Sequence, residues 1–179
     1  MDPVTVLIVC TGNAARSVMA GYMLEHLAAS RAAPLTVATA GTHALDGQPM
    51  GARTLAAMRS VPALDWVPAG THRSRQLEAH HLASADLVVA MEADHVRFVR
   101  RHHPSAAERT ATIRRLARDL APGPLRYGGL GERVASMHLA EVALGDDEDV
   151  VDPAGKDDAA YARCAADLWA LCAELMRRL

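Results

Sequence analysis

"IVCTGNAARSVMAGYML", residues 8 to 24, passes from an apolar run through a turn built on Gly12 and Asn13 into a stretch with helical spacing, and it sets Cys10 and Arg16 at the ends of that turn. The run over 4–10 is apolar and β-branched, as a strand buried on both faces requires. In a parallel α/β sheet, ligands gather at the carboxyl ends of the strands, and the turn from the first strand into the first helix is a favoured place. That helix offers free backbone N–H groups and the positive end of its dipole, which suits a phosphate-like oxyanion and favours the thiolate of a cysteine placed there. Gly12 and Asn13 tolerate left-handed backbone angles, so the loop can curl until its amides point inward. Arg16 closes the ring with a planar fork that takes two oxygens of a phosphoryl group, and Ser17 can donate a hydrogen bond to the thiolate. The expected phosphate cradle is therefore Thr11, Gly12, Asn13, Ala14, Ala15, Arg16 and Ser17, with Cys10 at its floor.

The bare spacing Cys-x5-Arg carries little by itself, and the chain holds its own control, because Cys172 and Arg178 match it too. That second match lies inside a terminal helical pattern without glycine, asparagine or a preceding strand, so nothing there can form a cradle. The first match gains its weight from the order of strand, cysteine, turn residues, arginine and helix.

Outward from this stretch, short apolar runs alternate with helical patterns. Strands are expected over 4–10, 35–40 and 86–91, with "TATIRRL" (110–116) as the fourth; helices are expected over 15–30, 49–59, 76–82, 93–102 and 158–179. Such alternation implies βαβ crossovers and a parallel sheet covered on both faces. The rhythm breaks at "PGPLRYGGLG" (122–131), dense in turn formers, and "ERVASMHLAEVAL" (132–144), which has helical spacing before the acidic "GDDEDV". This segment reads as an inserted loop and helix, either part of the working structure or a solvated excursion.

At 179 residues, half of them apolar, the chain is expected to form a single domain, 1–179. A net charge of −2 gives no footprint for nucleic acid, and the apolar run at 4–10 is too short for export or membrane crossing. The expectation is a cytoplasmic protein that binds neither nucleic acid nor membrane and is a monomer or weak homodimer. Of the three cysteines, Cys164 and Cys172 fall in an alanine- and leucine-rich helical stretch and read as small core residues. Eight residues of helical rise, roughly 12 Å, is too far for them to pair.

"VCTGNAARS" (9–17) resembles the signature of the low-molecular-weight protein tyrosine phosphatases, and the likeness runs on through "TAGT" (39–42), "HRSRQL" (72–77), "ADLVVAME" (85–92) and "DP" (152–153). It covers most of the chain; only 117–149 is unlike the usual pattern. The resemblance implies a three-layer α/β/α fold with a four-stranded parallel sheet, flavodoxin-like and of the phosphotyrosine phosphatase I type. It implies a cysteine-dependent phosphatase that needs no cofactor or metal and acts on a phosphorylated protein or small phosphomonoester. Cys10 would attack phosphorus to give a cysteinyl phosphate, Arg16 would clamp the phosphoryl group, and Asp152 would serve as acid and then base. Asn13, Thr39 and His72 would hold the loop in shape, with Ser17 beside the thiolate and Arg75 paired to Glu92. The acidic neighbours Asp146, Asp147, Glu148 and Asp149 would either repel the charge on Asp152 or keep its loop soluble.

Two departures bear on the substrate. Ala154 and Gly155 follow "DP" where tyrosine phosphatases carry aromatic residues that wall the pocket, and Ala14 is neither their bulky aliphatic residue nor the threonine of the related arginine phosphatases. Tyr127 is the residue expected to replace the missing wall, if any does. The other departure is Ala15, where many relatives carry a second cysteine. With no resolving cysteines between 11 and 163, the alternatives kept beside a phosphatase are an arsenate reductase using an external small thiol, a protein arginine phosphatase, and a non-catalytic anion sensor. The histidine pairs His80–His81 and His102–His103 are not expected to bind metal, since adjacent helical residues diverge by about 100°. His26 and His138 read as surface residues.

Overall fold

Strand β1 (Val4–Cys10) is paired on both sides in the computed structural model, which describes residues 3–125 and 129–179. Its neighbours are β2 (Leu35–Gly41) and β3 (Leu87–Ala90), and β4 (Thr110–Thr112) closes the sheet in the order β2-β1-β3-β4, all pairs parallel. Helices α1 (Arg16–Ser30), α2 (Ala52–Arg59), α3 (Ala79–Ala83), α4 (Ala93–His102), α5 (Ile113–Asp119), α6 (Gly129–Ala135) and α7 (Asp158–Arg178) complete the order of elements. The period of two in β1 divides the core. Val6, Ile8 and Cys10 pack with Met19 and Met23 of α1, Ile113 and Leu116 of α5, and Leu168 and Leu175 of α7, whereas Leu7 and Val9 pack with Leu82 of α3 and Val99 of α4. The result is the expected three-layer α/β/α fold.

This strand order is flavodoxin-like, and it reverses direction between β1 and β3. The connection after β1 leaves toward α1 on one face and the connection after β3 leaves toward α4 on the other, so a crevice opens at the carboxyl ends of these two strands. Gly41, the register partner of Cys10, forms its wall. A Cβ there would stand 2.5 Å from the Thr11 carbonyl oxygen and 2.8 Å from the Asn13 nitrogen, so only glycine lets β2 approach the 11–17 loop this closely.

Two expectations need correction. "TATIRRL" is a strand only as far as Thr112, whose hydroxyl accepts a hydrogen bond from Arg115 N–H at 3.2 Å and caps α5. Ile113, Leu116 and Ala117, spaced i, i+3, i+4, then bury as a helical face. The helix expected across 132–144 begins earlier and stops at Ala135, with His138 in the left-handed region at φ 51°. Of the two alternatives left open for this segment, its packing is that of a working part of the structure: Leu130, Val134 and Leu139 enter the larger core, and Arg133 bonds the carbonyls of Ala121 and Arg178. Tyr127 lies outside the described residues. His138 is exposed, while His26 is half-buried against Trp169. Cys164 and Cys172 are buried in the core, and burial pushes both thiols up, Cys164 to about 12. No described helix is long and apolar enough to cross a membrane.

Candidate active site

The loop between β1 and α1 is held from outside by its carbonyl oxygens. Thr42 N–H donates to the Cys10 carbonyl and His43 N–H to that of Thr11, both at 2.9 Å. His72 Nε2–H donates to the Asn13 carbonyl at 2.8 Å and Thr54 Oγ1–H to that of Ala14 at 3.1 Å. Trans peptides place each following N–H on the opposite side, so the amides of Thr11, Gly12, Ala14 and Ala15 turn into the loop. Asn13 takes the left-handed angle the turn requires, φ 50°, and its buried side chain spans the loop. Its Nδ2–H donates to Ser17 Oγ at 3.0 Å while its Oδ1 accepts from Arg75 N–H at 3.0 Å. The N-terminus of α1 carries no side-chain cap and no acidic residue in its first turn. The concave side of the loop is thus lined by N–H donors with the helix dipole behind them.

Cys10 Sγ lies at the floor, 2.9 Å from Ser17 Oγ. Ser17 accepts from Asn13, which leaves its own proton to donate to the sulfur. Arg16, with a side chain only 2% exposed, stands at the other end between two carboxylates. Its Nη1 bonds Glu92 Oε1 and the Val150 carbonyl, the latter at 3.0 Å, and its Nη2 bonds Asp152 Oδ2 at 2.7 Å. Asp152 is the more exposed partner and its Oδ1 accepts from Ala154 N–H at 3.0 Å, a local turn that aims the carboxyl toward the arginine.

The segment carrying Asp152 is tied to the ends of the inner strands. Val150 N–H bonds the Met91 carbonyl at 2.8 Å, and Asp149 Oδ1 accepts from Ala93 N–H at 2.7 Å at the start of α4. Buried Glu148 is gripped by Arg115 and by Thr112 Oγ1–H, the latter at 2.7 Å. Burial works against its charge, yet these bonds and the Gly145 N–H outweigh it and hold the carboxyl below its usual range. Glu148 and Asp149 therefore anchor the segment, and exposed Asp147 faces Arg118 at 3.5 Å.

The structure brings Cys10, Asn13, Arg16, Ser17, His72 and Asp152 together. It corrects the expected ion pair: Glu92 binds Arg16, and Arg75 supports the loop through its backbone N–H. Thr39 stands apart from the loop, its methyl lying where Gly21 leaves room on α1, and it makes no side-chain hydrogen bond to the cradle among the described residues. The ordinary charge of His72 is disfavoured by burial, against its bond to Asn13 and with the help of Arg75 and Arg73, which suits a neutral ring donating one N–H.

His95 was weighed in the sequence only beside the histidine pairs and was given no place at the site. It is buried at the first turn of α4, with Nε2 2.9 Å from Thr11 Oγ1 and 3.6 Å from Glu92 Oε2. Burial first, then Arg16, lowers its pKa to about 4, and its Nδ1 has no partner for an added proton. The only signal in the sequence was its place five residues after "VVA", at the end of a second inner strand. Among the described residues no group of three or more His, Cys, Asp or Glu could hold a metal ion. His80 and His81 lie with ring centroids 3.9 Å apart and planes tilted by 42°.

A family model described as low molecular weight phosphotyrosine protein phosphatase matches residues 5–121. A protein-arginine-phosphatase of Geobacillus stearothermophilus is 31% identical over 114 residues, 63% of this chain and 70% of that protein. A probable low molecular weight protein-tyrosine-phosphatase, EpsP, of Ralstonia solanacearum is 33% identical over 113 residues, with the same shares of 63% and 70%. Among solved structures, the YwlE arginine phosphatase from Geobacillus stearothermophilus superposes with a TM-score of 0.73 at 26% identity, covering 97% of this chain and 91% of that one. A low molecular weight protein tyrosine phosphatase from T. tengcongensis gives a TM-score of 0.76 at 24% identity, covering 98% and 99%, and shares the fold. With sequence and architecture in agreement, the chain belongs to the low molecular weight phosphotyrosine protein phosphatase family and is a hydrolase, a cysteine-dependent phosphatase.

Proposed function

We propose that Cys10 is the nucleophile, Arg16 the phosphoryl clamp and Asp152 the general acid and base of a phosphatase acting on a phosphorylated side chain of a protein. The observation that carries this reading is the line from Cys10 Sγ, bonded to Ser17, across the amide-lined loop to an Arg16 whose Nη2 is shared with Asp152. The thiolate attacks phosphorus, forming the S–P bond as the bond to the leaving oxygen breaks. Loop amides and Arg16 receive the three equatorial oxygens, supplying the charge that this loose transition state needs. A phosphoryl oxygen that takes Arg16 Nη2 displaces Asp152 from it. Asp152, released from the guanidinium while Glu92 stays on Nη1, is the carboxyl placed to hand a proton to the leaving group. Water then attacks the cysteinyl phosphate, returns a proton to Asp152 and releases phosphate and thiolate.

A second reading is favoured by the wall. Ala14, Ala154 and exposed Gly155, which takes φ 75°, leave the cradle without an aromatic side at these positions, and the Geobacillus relative is an arginine phosphatase by name. The same chemistry on phosphoarginine breaks a P–N bond, with Asp152 protonating the nitrogen. The setting proposed is the cytoplasm, where a nucleophilic thiol stays reduced, and the protein is taken as a monomer or weak homodimer.

The test is the purified protein with an aryl phosphate, phosphotyrosine and phosphoarginine peptides, and arsenate with small thiols. Cys10→Ser should abolish aryl phosphate hydrolysis with the thermal transition retained, whereas near-normal turnover would overturn the mechanism. Selective phosphotyrosine turnover would show that another element rebuilds the wall, and arsenate reduction without phosphatase activity would replace this reading with the reductase.

A further inference from the structure

A groove of about 470 Å³ opens beside the candidate site, with Thr11 of the cradle at one end and the exposed face of α4 along its side. Phe98, the only phenylalanine of the chain, forms its apolar base. His43 meets this ring edge-on at a centroid distance of 5.4 Å, and His102 lies against it at 4.6 Å. The carboxylates at the groove are already engaged, Glu92 with Arg16 and Asp94 with Arg97 at 2.6 Å. Arg101 has no hydrogen-bond or ion-pair partner among the described residues and lies exposed at the rim. His43 spends one ring nitrogen on Thr42 Oγ1 at 3.1 Å, which leaves the other for an incoming group. Charge and donors are thus uncompensated on the side of the groove away from the cradle.

We propose that this groove binds an acidic side chain of the substrate polypeptide next to the phosphorylated residue, with Arg101 as the charged anchor, ring N–H groups of His43 and His102 as further donors, and Phe98 taking the aliphatic stem. The inference rests on the reading of the cradle as the phosphoryl site, because only then does an extended peptide leaving the loop past Thr11 enter this groove. None of these four residues touches the reacting atoms. Their effect falls on recognition of the peptide and leaves the chemistry on a small phosphate unchanged.

The experiment compares short phosphopeptides that differ only in carrying Glu, Ala or Lys on each side of the phospho-residue. Wild type should favour Glu over Ala in kcat/KM by roughly fivefold on one side, with the preference shrinking as salt rises. Arg101→Ala should remove that preference and Arg101→Glu should turn it toward Lys, while both hydrolyse an aryl phosphate as wild type does. Equal kcat/KM for the Glu and Ala peptides in wild type, or a Glu preference that survives Arg101→Glu, would overturn the proposal. Failure to hydrolyse the aryl phosphate would instead overturn the cradle reading. Fluorescence anisotropy of labelled Glu and Ala peptides would then still test the groove, with equal affinities counting against it.

Discussion

Arg16 is a single positive charge held between two carboxylates of different standing. Glu92, with a side chain 24% exposed, fixes one edge of the guanidinium, whereas Asp152, 41% exposed, holds the other and can leave it. Replacing each should therefore give different signatures. Asp152→Asn removes the proton source, so turnover should fall by roughly 10²- to 10⁴-fold for poor leaving groups and less for activated ones. A linear free-energy plot against leaving-group pKa checks this, and a uniform loss would assign Asp152 a structural role. Glu92→Gln keeps the shape but loosens the clamp, and kcat/KM should fall by roughly 10²-fold whatever the leaving group. These two residues show what the sequence made legible. Asp152 was found because "DP" stands in a recognisable context, and Arg16 because it closes a local loop. Glu92 was seen but paired with the wrong arginine, since the choice between Arg16 and Arg75 depends on how two distant segments meet at the switch point.

The element that decides that meeting is the turn from β3 into α4, which delivers Glu92 to Arg16 and His95 to Thr11 within one helical turn. The cradle itself was legible because its strand, turn and helix are contiguous and each leaves a local mark. The end of β4 was misread because a β-branched run looks the same whether its last threonine continues a strand or caps a helix. α4 also carries a pH dependence. His95 is pushed to about 4 when folded but titrates near 6.5 when unfolded, so below pH 6.5 the unfolded chain takes up a proton that the folded protein refuses. Its contribution to stability is complete above about pH 6.5 and declines as the pH falls toward 4, a loss on the order of 3 kcal/mol. Urea denaturation at pH 7 and pH 4.5 should show wild type losing more stability than His95→Gln over that interval; equal losses would place the acid sensitivity elsewhere.

Across the whole molecule, the 117–149 segment that the sequence left open between insertion and excursion connects the outer strand to the acid. It leaves α5, adds Leu130, Val134 and Leu139 to the larger core, and returns to Glu148, which Arg115 and Thr112 hold at the base of the Asp152 segment. Nothing in "GDDEDV" distinguishes the buried carboxylate from its exposed neighbours, because the distinction comes from an arginine more than thirty residues earlier in the chain. Glu148 is 1% exposed, and Arg115 has no other buried carboxylate partner among the described residues. Removing one member of a buried pair leaves the other charge uncompensated, so Glu148→Ala should lower unfolding stability by roughly 3–5 kcal/mol. Exposed Glu141 on the same segment should tolerate alanine within about 0.5 kcal/mol. The loss should also reach the chemistry, since Val150 and Asp149 locate Asp152 only while the segment is fixed below them. Under conditions where Glu148→Ala remains folded, its turnover should fall most for poor leaving groups, following the pattern of Asp152→Asn at smaller amplitude. Denaturant titration combined with the leaving-group series separates the two effects, and a destabilised variant with an unchanged leaving-group slope would show that the acid is positioned without Glu148.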